Sequence, residues 1–230
     1  MQLNSTFFVH KKSLIALAGA TLGLAFLSNV RPSQAASITT TFTSDNEQAG
    51  NMFDVTTFRR PLTVTDLNIN VMQLNDPANA VIDVYTKSGT YVGSETNPAA
   101  WTLVSATSLA SANPTDTPTF VDVSDFTLPA NSTTGLYVLF RGQPNSAFVA
   151  GSNTNILAYT DGSNTYSNAD ISLSLGTGNR GTFGTSFSSR TWNGTISYTA
   201  VPEPSEVLGI LTFGLISAGY LLQHKGRKLA

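Results

Sequence analysis

The chain has no cysteine and only two histidines among its 230 residues. Without thiols there is no disulfide framework, so an exported fold would have to rest on burial alone. His10 and His224 lie near the two ends, which leaves residues 36–200 free of both His and Cys. No Ser-His-Asp or Cys-His apparatus can be assembled there, and zinc, copper and haem lose their usual ligands. Charge is scarce as well, with Asp, Glu, Lys and Arg at 11%. Because 41% of the residues are apolar, the remaining polarity must come from Ser, Thr, Asn and Gly. That mixture favours strands and turns over solvated helices. Within 36–200, six arginine and lysine side chains face twelve carboxylates, a formal charge of −6. No basic stripe interrupts this acidic stretch, so nucleic acid is not an expected partner.

The two ends read as addresses. Residues 1–35 have the layout of a secretory signal peptide. Lys11 and Lys12 form a positive start, and residues 14–27 are apolar and uncharged. Ser33 and Ala35 then place small side chains at the −3 and −1 positions of a cut between Ala35 and Ala36. At ~1.5 Å per residue the apolar run falls short of ~30 Å of hydrocarbon, so cleavage rather than retention is expected. A second run, residues 207–222, holds 16 uncharged residues. As a transmembrane helix it would reach ~24 Å, enough where the flanks help or the bilayer thins. The basic residues Lys225, Arg227 and Lys228 follow at once. Such a cluster stays on the cytoplasmic side, which points the preceding domain outward, in agreement with the export signal.

Pro202, Glu203 and Pro204 stand just before that run. This order of Pro-Glu-Pro, apolar helix and basic tail over residues 201–230 resembles the PEP-CTERM sorting signal of exported bacterial proteins. The resemblance implies an exosortase as partner, a membrane transpeptidase-like enzyme that acts near the motif and releases or transfers the protein. The physical basis is separate from the name. Two prolines without N–H groups break helix and ladder alike and leave an extended, accessible segment. A plain single-pass membrane anchor is the competing reading.

Residues 36–200 read as one all-β domain. Short apolar runs recur between Gly, Pro and Asn, about ten strands in all, and no 3.6-residue periodicity holds over three turns. In 62–74 the apolar positions change parity near Thr65-Asp66, and again near Ser124-Asp125, each slip marking a β-bulge. Residues 81–85 and 91–92 flank Lys87-Ser88-Gly89 as a hairpin. Further strands are expected at 101–109, 135–141, 155–160, 170–175 and 190–199, with long connections around 113–118 and 176–184. Such connections suit a single jelly-roll-like or Greek-key β-sandwich. Five stretches, Gly50 onward, Val84 onward, Glu95 onward, Tyr166 onward and Phe187 onward, also resemble an uncharacterised β-sandwich module of secreted, surface-anchored bacterial proteins. The resemblance implies a topology and a location, and no chemistry.

Candidate chemistry is sparse. Trp192 alternates with Gly194, Ile196 and Tyr198, which places it on the inward face, and Trp101 alternates likewise with Leu103. Both are expected in the core rather than as sugar-stacking platforms. Asp161, Asn164, Asn168 and Asp170 are candidate calcium ligands, because calcium takes six to eight hard oxygens. The same residue types also serve turns, and the spacing is not that of an EF-hand. Arg59 and Arg60 read as a solvated pair that successive strand positions would turn apart. Paired carboxylates for glycoside hydrolysis have only Glu47 and Glu95 as glutamates in the body. The expectation is therefore an exported, non-enzymatic protein with a structural or adhesive role in extracellular matrix, its partners a processing enzyme, the membrane and extracellular polysaccharide. No cofactor is expected beyond calcium. A calcium-assisted carbohydrate-binding module is the alternative, ahead of a carboxylate-only hydrolase.

Overall fold

Alternation with period two builds the body, because successive strand residues face opposite ways and only one face of most strands is apolar. The computed structural model describes residues 35–141 and 156–201. The signal segment up to residue 34, the Pro202-Glu203-Pro204 motif, the 207–222 run and the basic residues after it lie outside them. Among the described residues no helix is long and apolar enough to cross a membrane.

The strands are β1 (Ala35–Thr39), β2 (Asn46–Gln48), β3 (Gly50–Thr57), β4 (Leu62–Gln73) and β5 (Val81–Ser88). There follow β6 (Thr102–Ser108), β7 (Pro118–Leu128), β8 (Ser132–Arg141), β9 (Ile156–Asp161) and β10 (Thr165–Ser167). The last four are β11 (Ile171–Asn179), β12 (Ser186–Ser188), β13 (Arg190–Trp192) and β14 (Gly194–Ala200). One sheet runs β1-β14-β4-β9-β13, with β7 on β4 and β2 on β9. The other runs β10-β11-β3-β8-β5-β6, with β12 on β11. These ladders are antiparallel.

The two sheets make a β-sandwich around one core. Val64, Leu67, Ile69, Val121, Val123, Ile196 and Tyr198 from the first sheet meet Phe53, Val55, Ile82, Val84, Leu136, Val138 and Phe140 from the second. Trp192 ties the layers together by stacking on Phe53 with ring centroids 5.0 Å apart. A buried aromatic of this size contributes ~2–3 kcal/mol or more. The parity change at Thr65 is a bulge: Val64 pairs with Phe126 and Tyr198, whereas Asp66 pairs with Asp122 and Ser197. One residue on β4 thus stands against Val123, Ser124 and Asp125 on β7, and both strands return their apolar side chains to the core.

Open sheet edges invite pairing with other chains. Here side-chain hydrogen bonds tie two pairs of edge strands. The Ser124 N–H donates to Ser105 Oγ (2.9 Å) and Thr107 Oγ1 donates to the Asp122 carbonyl (2.9 Å), which seals β6 to β7 across the gap between sheets. On the other side Asn168 Nδ2, just past β10, donates to the Ser37 carbonyl in β1 (3.2 Å).

Several expectations need correction. Gly89 turns the chain with φ 77°, but the strand that returns to β5 is β6, and residues 91–92 belong to a covering loop. The stretch 176–179 is not loop but the end of β11, paired to β3. The single strand expected at 190–199 is two, β13 on β9 and β14 on β4. Arg59 and Arg60 sit in a bend rather than a strand, so the alternation argument does not separate them. Trp101 is buried, yet not between the sheets. It packs with Met52, Tyr137 and Leu139 in a second apolar cluster on the outer face of the second sheet, roofed by Tyr91 and Phe183. Leu103 is itself exposed.

Candidate functional site

The loop richest in oxygen ligands does not converge on one point. Asp161 ends β9 opposite Arg190, whose Nε lies 3.1 Å from its Oδ1. The same oxygen accepts Asn46 Nδ2 at 2.8 Å. Asn164 Nδ2 donates to Thr191 Oγ1 at 3.1 Å. Asn168 belongs elsewhere: its Oδ1 accepts the N–H groups of Asp170 (2.9 Å) and Ile171 (3.1 Å), the geometry of a local turn. Its Nδ2 also donates to Tyr198 Oη at 2.8 Å, and that hydroxyl stands 3.4 Å from Asp170 Oδ2. The four candidates therefore fall into two groups, one at the β9–β13 corner and one beside β1 and β14. Among the described residues no three His, Asp or Glu side chains are grouped to hold a metal ion. Ala35 and Ala36, the expected cleavage pair, open β1 opposite Thr199 and Tyr198.

At the β9–β13 corner a polar network leads inward from solvent. Arg190 lies over the Tyr159 ring, 5.7 Å from its centroid, and its Nε is 3.3 Å from the phenol oxygen. Burial raises the Tyr159 phenol above its ordinary pKa, and the Arg190 hydrogen bond and charge oppose that rise. Asn51 pairs with Gly178, and a side chain at Gly178 would touch both Tyr159 and Arg190. Asn51 thus faces this corner from the second sheet. Its amide nitrogen and oxygen are both buried without a hydrogen-bond partner, as is Gln48 Oε1.

The outer face of the second sheet carries the other constellation. Tyr85, Trp101, Tyr137 and Phe183 form an aromatic group with centroid separations of 5.2 to 6.1 Å. Trp101 Nε1 donates to the Ser94 carbonyl (2.9 Å) and Tyr137 Oη to the Gly181 carbonyl (2.9 Å). Beside them Asp83, a carboxylate with 2% of its side chain exposed, holds Arg141 bidentately, with Nη2 to Oδ1 at 2.9 Å and Nε to Oδ2 at 2.5 Å. The loop above is fixed by Asp54, which accepts the Thr90 hydroxyl (2.6 Å) and the Tyr91 N–H (2.8 Å). Sequence reasoning missed this second layer. The signal was available in Leu136-Tyr137-Val138-Leu139-Phe140, an unbroken apolar run that marks a strand buried on both faces.

Neither tryptophan offers a ring face to solvent, since Trp101 and Trp192 are both buried. Asp66 and Asp122 face each other across β4 and β7 on an outer sheet surface, not in a cleft. The open depression bounded by Val71, Met72, Leu74 and residues 111–115 carries no carboxylate. Among the described residues these side chains supply turn-stabilising and core-stabilising hydrogen bonds. No family model, curated protein or solved structure matches the chain.

Proposed function

We propose that this is an exported, non-enzymatic β-sandwich protein, sorted through a PEP-CTERM signal at 201–230 and anchored at or released from the cell envelope, with a structural or adhesive role in extracellular matrix. The observation that carries the non-enzymatic half is that Trp101, Trp192, Asp83, Arg141, Asp161 and Arg190 are all committed to contacts within the body. The jelly-roll form of the sandwich is supported by nested pairing: β5 with β6, β4 with β7, β3 with β8 and β2 with β9. That is one long hairpin wrapped around a core. A thiol-free body that rests on burial, with two pairs of edge strands tied by side-chain hydrogen bonds, suits a protein that must persist outside the cell.

The test has two arms. Intact mass of the envelope-associated protein, from cells with and without an exosortase-type enzyme, should show loss of residues 1–35 in both and loss of the basic tail only with the enzyme. Full-length, unprocessed chain dissolved in the cytosol would end this reading. Separately, calcium titration and a glycan array on the purified protein should leave the melting temperature and binding signal unchanged. A calcium-dependent rise in melting temperature would instead favour the carbohydrate-binding module.

A further inference from the structure

The turn from β11 to β12 holds one residue in an unfavourable shape. Asn179 pairs with Ser186, and the Arg180 N–H donates to the Thr185 carbonyl at 2.9 Å, so the base of the turn is fixed. At its tip Phe183 has φ 52°, in the left-handed region that a bulky side chain rarely enters. A side chain at Gly184 would run into the Arg180 carbonyl, so the tip is also tight. The Phe183 ring then lies on Tyr85, Trp101 and Tyr137, with centroids 5.2, 6.1 and 5.2 Å away and planes inclined by 48 to 73°. Phe183 is only half-buried, whereas Trp101 and Tyr137 beneath it are buried. Outlying backbone of this kind persists where surrounding contacts hold it, and it clusters at ligand clamps and switches.

What lies under that turn is not purely apolar. Thr177 pairs with Met52 and Asn179 with Gly50, so Asn179 faces the same side of the sheet as the aromatic group. A side chain at Gly50 would meet the Tyr137 ring at 2.8 Å, which puts the Asn179 amide beside that ring. Asn179 is 0% exposed, and its amide nitrogen and oxygen both lack a hydrogen-bond partner among the described residues. An unmet buried amide costs free energy that a ligand offering a donor and an acceptor recovers. Leu103, exposed and paired with Tyr85 across β5 and β6, adds an apolar rim. Aromatic walls with one convergent polar group are the make-up of a binding site. Its present occupant shows what fits, a phenyl ring packed edge to face. A pyranose would instead need a flat, open ring face.

We propose that Phe183 is a removable plug, and that Tyr85, Trp101 and Tyr137 receive an aromatic side chain from an extended segment of a partner protein. The backbone N–H and C=O of that segment meet the Asn179 amide. This deepens, and rests on, the adhesive part of the proposed function by naming the partner's chemistry. The plug lowers the apparent affinity by the fraction of molecules in which the box is open. Opening also frees Phe183 from its left-handed backbone.

The probe is the peptide acetyl-Thr-Phe-Thr-amide, titrated calorimetrically into the full chain purified in a mild detergent. Phe183→Ala should bind it about ten-fold more tightly than the parent, because the competing ring is gone. Phe183→Gly, which accepts φ 52° without strain, is the second variant should alanine disturb the turn. Adding Asn179→Leu to either should weaken binding by about five-fold, the worth of one lost hydrogen bond or slightly more. Urea melts confirm that each variant is folded. Equal affinity in parent and plug variants, or no binding to any of them, would overturn the plug. Binding of cellotriose in place of the peptide would overturn the choice of ligand. A parent whose mass doubles with concentration, in a way that Phe183→Ala abolishes, would put a second copy's ring in the box and overturn the foreign partner. None of these outcomes touches export and processing, which intact mass reads separately.

Discussion

Tyr137 sits beneath Phe183, Tyr85 and Trp101, fully buried, and donates its hydroxyl to the Gly181 carbonyl at 2.9 Å. Burial pushes its pKa far above the ordinary phenol value. The Tyr85 and Asp83 charges add to the rise, and a hydrogen bond from the Phe183 backbone opposes it. Tyr85, Tyr91, Tyr159 and Tyr198 are raised too, in each case chiefly by burial. In the unfolded chain all five titrate near ~10. A folded pKa above the unfolded one means full stability below pH ~10 and progressive loss above it, because only the unfolded chain releases the protons. Each tyrosine held protonated lowers stability by ~1.4 kcal/mol per pH unit in that window. Tyr137 is the most deeply enclosed of the five, so the loss it causes persists furthest above pH ~10. Tyr137→Phe carries two signatures. Near neutral pH it loses one hydrogen bond, ~1 kcal/mol. Above pH ~10 it escapes one proton's worth of slope, so its stability curve should cross the parent's near pH ~11. Urea melts followed by tryptophan fluorescence across this range measure both. Parallel curves with no crossing, or phenolate absorbance from Tyr137 near pH 10 in the folded protein, would refute the argument.

Three further outcomes test the packing. Arg141→Met should cost ~3 kcal/mol, because Asp83 is left buried and charged. Asp83→Leu should cost nearer ~1 kcal/mol, because the Arg141 side chain is 48% exposed and can rehydrate. The double variant should return to within ~1 kcal/mol of the parent, and equal single effects in urea denaturation would contradict this asymmetry. A methyl group at Gly194 would run into the Trp192 ring and press on the Asn68 carbonyl. Gly194→Ala should lose ~1–3 kcal/mol and alter the near-UV signal of the Trp192–Phe53 stack; a change below ~0.5 kcal/mol would mean that the ring has room to move. Asn51→Leu removes two buried, unpartnered polar atoms, so thermal melting should show unchanged or higher stability. A loss above ~2 kcal/mol would point to an ordered water bonded to that amide.

Local rules made part of this fold legible and not the rest. The bulge at Thr65 shows in the sequence because a core face imposes parity, and one extra residue must break it. Trp192 is legible for the same reason, through Ile196 and Tyr198 on its own face. Trp101 is not. Alternation places it on one side of the chain entering β6, but whether that side is covered depends on Tyr91, ten residues earlier, and Phe183, far along the chain, folding over it. The same limit governs the polar loop at 161–170. Asn and Asp satisfy calcium and tight turns by the same oxygens, and only distant partners distinguish the uses. Asp161 meets Arg190 and Asn46, while Asn168 meets Tyr198 and Ser37. These contacts are set by strand pairing and leave no local pattern. The link from Val201 to Pro61 belongs to this second kind: the β4–β14 ladder brings together residues far apart in the chain, and no local pattern announces it.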